Sequence, residues 1–198
     1  PVPDDILIEL LAMLPPHSVD ALKATLFFGF RRLEIFSLTI AQVDFGARGV
    51  RLDANEVKDR EDAFIPGSAA AMEFMRVLVD QAKARRVRYL ITWPGNVNLD
   101  GKKPVTWRPV KDTRTAWRNA MKKIEKAHGR KWRWHDVRAA FITQVAITSG
   151  AVAAQKLARH SEFATTQAYI EVADQVTRDA AERSSERPAL GIVTGGKK

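Results

Sequence analysis

The sequence of residues 131–169 is KWRWHDVRAAFITQVAITSGAVAAQKLARHSEFATTQAY, and it holds two of the four histidines and one of the two tyrosines. His135 and Arg138 are three residues apart, so they share one face of a predicted helix. They lie in its first turn, where backbone N–H groups and the helix dipole favour an anion. His160 and Tyr169 follow later in the stretch. This combination predicts an attack on a phosphodiester, with the Tyr169 hydroxyl as the candidate nucleophile.

Two further cations lie far upstream of this stretch. Arg31 follows Gly29 at a predicted helix end, and its guanidinium fork suits two non-bridging phosphate oxygens. Lys58 lies in a turn between predicted strands, where its ammonium can protonate a leaving alkoxide. Each residue also has an ordinary structural explanation, since Glu34 is placed to form a salt bridge with Arg31 one turn on. Only the complete set of these residues, in its order along the chain, indicates a reaction.

Composition limits the possible classes of protein. A hydrophobic fraction of 45% is enough for a sizeable core, and a net charge of +9 favours nucleic acid or an anionic membrane surface as partner. The chain has no cysteine, which excludes disulfides, thiolate zinc sites and a cysteine nucleophile, and which suits a reducing cytosol. It contains no apolar run of the ~18–20 residues that a membrane span requires, and no signal peptide.

Hydrophobic periodicity predicts a mainly α protein with a small antiparallel β-sheet, of the α+β class. Ser18 is expected to cap the second helix, which ends at Gly29. Residues 94–109 are expected to form a long basic loop. Helices are predicted over 4–14, 18–29, 68–85, 111–128, 135–149, 151–159 and 165–184, and strands over 43–45, 49–52 and 63–66.

Basic residues near tryptophans are candidate DNA contacts. On the helix over 111–128, basic residues recur every fourth position opposite an apolar side, which by itself is typical of a solvated face. The neighbouring loop, with its lysines between Trp93 and Trp107, favours phosphate contact instead. The predicted DNA-binding residues are Arg32, Arg60, Lys102, Lys103, Arg108, Lys111, Arg114 and Arg159.

Four motifs follow one another along the chain: Gly29-x-Arg31-x-x-Glu34, Lys58 ahead of Ile65-Pro66, His135-x-x-Arg138, and Leu157 to His160 followed by Thr165-Thr166 and Tyr169. In the order of these motifs the sequence resembles the tyrosine recombinases, also called phage-type integrases. The resemblance runs from about residue 18 to residue 172 and covers most of the chain. The sequence departs from the family pattern at two places: Arg159 occupies a position where glycine is usual, and Ala139–Ala140 replace a common His-Thr pair. Neither departure removes a catalytic group.

The resemblance implies a mechanism and a catalytic set of Arg31, Lys58, His135, Arg138, His160 and Tyr169. Tyr169 attacks a DNA phosphate to give a 3′-phosphotyrosyl bond and a free 5′-hydroxyl. The two arginines and His160 stabilise charge on the non-bridging oxygens. Lys58 protonates the leaving 5′-oxygen and His135 assists proton transfer at Tyr169. This chemistry implies no metal, no ATP and no other cofactor, because the covalent link conserves the energy of the phosphodiester.

The same resemblance implies partners and a domain organisation. The expected partner is double-stranded DNA, bound as a homotetramer on paired recombination sites, with accessory DNA-bending proteins and no membrane. Residues 1–186 are expected to form the catalytic domain and residues 187–198 a flexible tail, while the family's N-terminal DNA-clamping domain is absent from this stretch. The expected location is the bacterial cytoplasm, on the nucleoid when the protein is bound to DNA.

Three alternatives remain at this stage. A type IB topoisomerase resembles the chain through a similar set of Arg, Lys, His and Tyr residues, but it relaxes supercoils without a paired site. A DNA-binding module of integrase type could have lost its activity, although Tyr169 and both arginines argue against this. A basic helical protein with accidental motif matches is the third.

Overall fold

The structure is a computed structural model that describes residues 1–53, 62–95 and 105–159, together with scattered positions between 167 and 179. The chain divides into two compact units, Pro1–Ile142 and Thr143–Lys198. No described helix is both long enough and apolar enough to cross a membrane.

Three short helices open the first unit. Helix α1 (Asp4–Met13) carries Asp4 and Asp5 in its first turn, where carboxylates suit the helix dipole. Helix α2 (Pro16–Phe28) ends at Gly29, and α3 (Arg32–Ser37) begins after Arg31. The expectation that Ser18 caps α2 is wrong, because Ser18 lies inside the helix and Pro16 takes its first position. Proline fits there, since its fixed φ suits a helix and its missing N–H is not needed.

A small antiparallel sheet follows, as the sequence predicted. A 3-10 turn (Ile40–Gln42) leads into strands β1 (Val43–Asp44), β2 (Gly49–Leu52) and β3 (Ala63–Pro66), in the order β1-β2-β3. Val50 faces Ile65 across the ladder and both side chains are buried, which fixes the register. The β2–β3 ladder ends at the pair of Leu52 and Ala63.

Helix α4 (Ala69–Ala84) matches the prediction, and its cap Ser68 accepts a hydrogen bond from the backbone N–H of Ala71. The long loop expected over 94–109 is shorter than predicted. Strands β4 (Thr92–Pro94) and β5 (Trp107–Pro109) pair at its two ends, with Trp93 opposite Arg108. This pairing joins residues distant in sequence, and β5 has too few residues for a periodic pattern.

Helix α5 (Arg114–His128) is amphipathic as predicted, with Trp117, Met121 and Ile124 buried. Helix α6 (Trp134–Ser149) begins in the first unit and α7 (Ala151–Ala158) lies in the second. Of the helix expected over 165–184, only isolated helical positions lie among the described residues. The largest fully buried core side chains are Phe28, Phe30, Ile6, Leu10, Leu22, Ile35, Leu38, Leu52, Ile65, Met75, Leu78 and Leu90.

Candidate active site

Arg31 is held at the junction between α2 and α3. It is the N-cap residue of α3, and its backbone N–H donates to the Glu34 carboxylate at 2.7 Å. The other Glu34 oxygen lies 3.4 Å from the Arg31 guanidinium. Glu34 is only 1% exposed, so contacts within the protein, this pairing among them, replace water around its carboxylate. The salt bridge expected from the sequence is therefore present. It orients the guanidinium of Arg31, which also lines a pocket.

Arg138 lies on α6 and is almost completely buried, with 2% of its surface exposed. Its guanidinium donates a hydrogen bond to the backbone carbonyl of Gly29. Gly29 adopts a left-handed conformation (φ 65°) at the end of α2, and a Cβ atom there would lie 2.4 Å from the Phe141 ring. The glycine thus permits both the turn and the close approach to α6 that brings its carbonyl to Arg138.

His135 lies one turn before Arg138, as the spacing predicted. Partial burial lowers the pKa of His135 below its ordinary value of 6.5, and the neighbouring positive charge of Arg138 lowers it further. Asp136 opposes this effect, whereas Arg133 and Arg31 add to it. The ring is therefore neutral near pH 7 and able to accept a proton.

Arg31, His135 and Arg138 meet at one small pocket of about 130 Å³. Its lining consists of Phe30, Arg31, Arg32, Trp134, His135 and Arg138. Two guanidinium groups and a neutral imidazole around one concave space suit the binding of an anion whose reaction includes a proton transfer. The structure brings these three predicted residues together from two distant segments. The predicted Lys58, His160 and Tyr169 lie outside the described residues.

A second, larger cavity of about 350 Å³ adjoins the first and shares Arg32 and Trp134 with it. We call it the tryptophan pocket; its lining is Arg32, Thr113, Arg114, Trp117, Arg118, Met121, Lys131, Trp132, Arg133 and Trp134. The indole of Trp117 donates to the backbone carbonyl of Trp132 at 3.1 Å and packs edge-on against the Trp134 ring. This cavity was not predicted from the sequence, although the alternation KWRW at residues 131–134 was a signal for it.

The predicted DNA-binding residues occupy several places. Arg32 is half-buried between the two pockets, whereas Arg108 and Lys111 are exposed in and after β5. Arg114 pairs with Asp112 at 2.8 Å. Arg159 ends α7 in a left-handed conformation (φ 54°), which explains why glycine suits this position. The remaining three, Arg60, Lys102 and Lys103, lie outside the described residues.

The family model described as "Phage integrase family" matches residues 14–176. The chain belongs to the phage integrase family. Comparison with curated protein sequences gave no significant match. The family assignment agrees with the resemblance drawn from the motifs and covers Gly29, Arg31, His135 and Arg138.

Solved structures share the fold of this phage integrase chain. A XerA recombinase is 22% identical with a TM-score of 0.64, over 94% of this chain and 63% of that one. The Tn1549 transposon integrase, in complex with a circular intermediate DNA, is 19% identical with a TM-score of 0.60, over 85% and 60%. A lambda integrase dimer bound to a COC′ core site is 15% identical with a TM-score of 0.58, over 85% and 58%.

These similarities establish the α+β fold of tyrosine recombinase catalytic domains. The integrase chain spans about three fifths of the length of the solved structures that it matches.

Proposed function

We propose that this integrase chain is the catalytic domain of a site-specific DNA recombinase that cleaves and rejoins strands through a 3′-phosphotyrosyl intermediate. The observation that carries the proposal is the meeting of Arg31, His135 and Arg138 at one pocket. Family membership adds to it, as do the DNA complexes named for the Tn1549 and lambda integrases.

In the proposed reaction a DNA phosphate occupies the small pocket. Arg31 and Arg138 donate to its non-bridging oxygens and stabilise the added negative charge of the transition state. Because Glu34 orients Arg31 and Gly29 holds Arg138, both donors are already placed before the substrate arrives. Preorganised donors contribute more than mobile ones, since they do not reorient during the reaction.

Proton transfer completes the proposed step. The Tyr169 oxygen bonds to phosphorus while its proton passes to the neutral His135 ring, and the bond to the 5′-oxygen breaks. Lys58 supplies a proton to that oxygen, and His160 stabilises the phosphoryl oxygens. The 5′-hydroxyl of a partner strand then attacks the phosphotyrosyl phosphorus and gives its proton to Lys58. The bond to Tyr169 breaks, and the tyrosine oxygen takes its proton back from His135. The proposal includes a homotetramer on paired duplex sites, assisted by DNA-bending proteins, in the cytoplasm.

The test uses the full-length protein and a nicked suicide duplex that carries its recombination site. We expect a covalent protein–DNA adduct in a denaturing gel, and its loss in Tyr169→Phe. Tyr89→Phe is the matched control, because Tyr89 is the other tyrosine and its hydroxyl accepts a hydrogen bond from Arg88 on an exposed surface. An adduct that survives Tyr169→Phe would rule out the proposed nucleophile. Relaxation of supercoiled DNA without a paired site would instead favour the topoisomerase alternative.

A further inference from the structure

We propose that the tryptophan pocket binds the base of a nucleotide that has left the DNA stack beside the reacting phosphate. This inference rests on the proposed function and extends it to a second site on the same strand. The pocket is separate from the catalytic set, but Arg32 and Trp134 line both cavities. A strand whose phosphate occupies the small pocket therefore runs close to the larger one.

The walls of the pocket suit a flat aromatic group. Four of the ten lining residues are large and apolar: Trp117, Met121, Trp132 and Trp134. The volume of about 350 Å³ falls in the lower range of small-ligand sites, about 300–1,000 Å³. Trp132 and Trp134 are more than nine-tenths buried, so a base can stack only on the part of each ring that the pocket exposes. Stacking on such side chains contributes about 1–3 kcal/mol per base in proteins that bind single strands.

Three residues in the wall of the pocket also carry buried hydrogen-bond donors that lack acceptors. The indole N–H groups of Trp132 and Trp134 and one N–H group of Arg32 are buried without a partner among the described residues. A buried donor left unpaired costs about 1–3 kcal/mol, so a ligand that brings acceptors gains affinity. The carbonyl oxygens of a nucleobase are such acceptors, whereas a purely aliphatic ligand would leave these groups unsatisfied.

The charge around the pocket selects an anionic ligand. Its ten lining residues include five cations and no acid: Arg32, Arg114, Arg118, Lys131 and Arg133. Acidic neighbours pair with Arg114, Lys131 and Arg133, at 2.8, 3.3 and 3.8 Å. Arg118 is exposed and has no acidic partner within salt-bridge distance among the described residues, so it is placed for a phosphate. An apolar wall beside such a cation matches a base and its backbone better than it matches a bare phosphate.

The experiment compares two tetranucleotides of equal charge, d(T)4 and its abasic analogue, binding to the 198-residue chain in solution. We expect d(T)4 to bind at least about fivefold more tightly, the lower limit for one stacked base. Trp132→Phe keeps an aromatic ring, although a smaller one, and removes the indole N–H, so it should reduce this preference. Arg118→Gln should weaken both ligands, whereas Lys122→Gln on the same helix should change neither.

Equal affinity for the two tetranucleotides would overturn the inference, and so would a base preference that persists in both Trp132→Phe and Trp132→Ala. A protein occupant would show itself as self-association lost in Trp132→Phe, with no base preference, and would also overturn it. The suicide-substrate adduct separates this inference from the proposed function. If the adduct forms but d(T)4 binds no more tightly than its abasic analogue, only the base-pocket proposal is wrong. If d(T)4 binds more tightly but no adduct forms, only the recombinase assignment is wrong.

Discussion

The guanidinium of Arg138 donates a hydrogen bond to the backbone carbonyl of Gly29, so a buried cation on α6 is tied to the left-handed end of α2. This single contact joins two segments that both line the small pocket. Because the carbonyl belongs to the backbone, its placement depends on the conformation of Gly29 and on the close packing of Phe141.

We expect Gly29→Ala to destabilise the chain and to reduce adduct formation. A side chain in the left-handed region costs roughly 1–2 kcal/mol, and the contact with Phe141 adds an overpacking cost of about 1–3 kcal/mol. Urea unfolding measures the total. Gly129→Ala is the matched control, since Gly129 also ends a helix with positive φ (68°) but would have no atom within 4 Å of its Cβ. Equal losses in the two variants would contradict the packing argument.

Glu34 provides a second prediction, because it is buried and bonds to both the backbone and the side chain of Arg31. Glu34→Gln retains an oxygen for the backbone N–H but loses the charge, so we expect a loss of about 1–2 kcal/mol in urea unfolding. Glu34→Ala loses both contacts and should cost more. Adduct formation should fall in both variants, since the Arg31 guanidinium loses its charged contact with Glu34.

The exposed pair of Glu73 and Arg76, 3.7 Å apart, supplies the control for Glu34. Glu73→Gln should stay within about 0.5 kcal/mol of the parent, because exposed ion pairs contribute little. A loss as large as that of Glu34→Gln would mean that charge alone, rather than burial, determines the effect.

Much of the candidate site could be predicted from the sequence. The shared face of His135 and Arg138 follows from helical spacing, and the helix end before Arg31 follows from Gly29. The tertiary pairing of Arg138 with the Gly29 carbonyl could not be predicted, because it joins residues more than a hundred positions apart. Local patterns do not encode such contacts.

The tryptophan pocket could not be predicted from the sequence for a different reason. Spacing on α5 places Trp117 in the core and Arg118 outside it, and the structure confirms both. Whether Trp132 and Trp134 find acceptors for their indole N–H groups depends on which backbone groups surround them after packing. Only the folded chain shows that these donors remain unpaired.

His135 leads to a prediction about pH. Its pKa is lowered in the folded chain, so the unfolded chain takes up the proton first as the pH falls through 6.5. The contribution of His135 to the free energy of unfolding is therefore fully present above pH 6.5. It is lost as the pH falls from 6.5 toward the pKa of His135 in the folded chain. Unfolding midpoints between about pH 8 and pH 5 measure this slope, and His135→Gln should reduce it. Burial also lowers the pKa of His17, so His17→Gln should remove a further part of the dependence of stability on pH. An unchanged slope in His135→Gln would contradict the assignment.

Arg159 has a strained backbone conformation, and its side chain is one of the predicted DNA contacts. Its φ of 54° is one that glycine adopts at little cost, so Arg159→Gly should stabilise the chain by roughly 1 kcal/mol. If the side chain neutralises a phosphate, the same variant should reduce the slope of log affinity against log salt by about 0.9. Arg86→Gly is the control, because Arg86 has a similar φ of 56° outside the predicted contacts. Both variants should gain stability, and only Arg159→Gly should change the salt slope. A gain in stability with an unchanged slope would show that Arg159 does not contact the DNA backbone, and would remove it from the predicted interface.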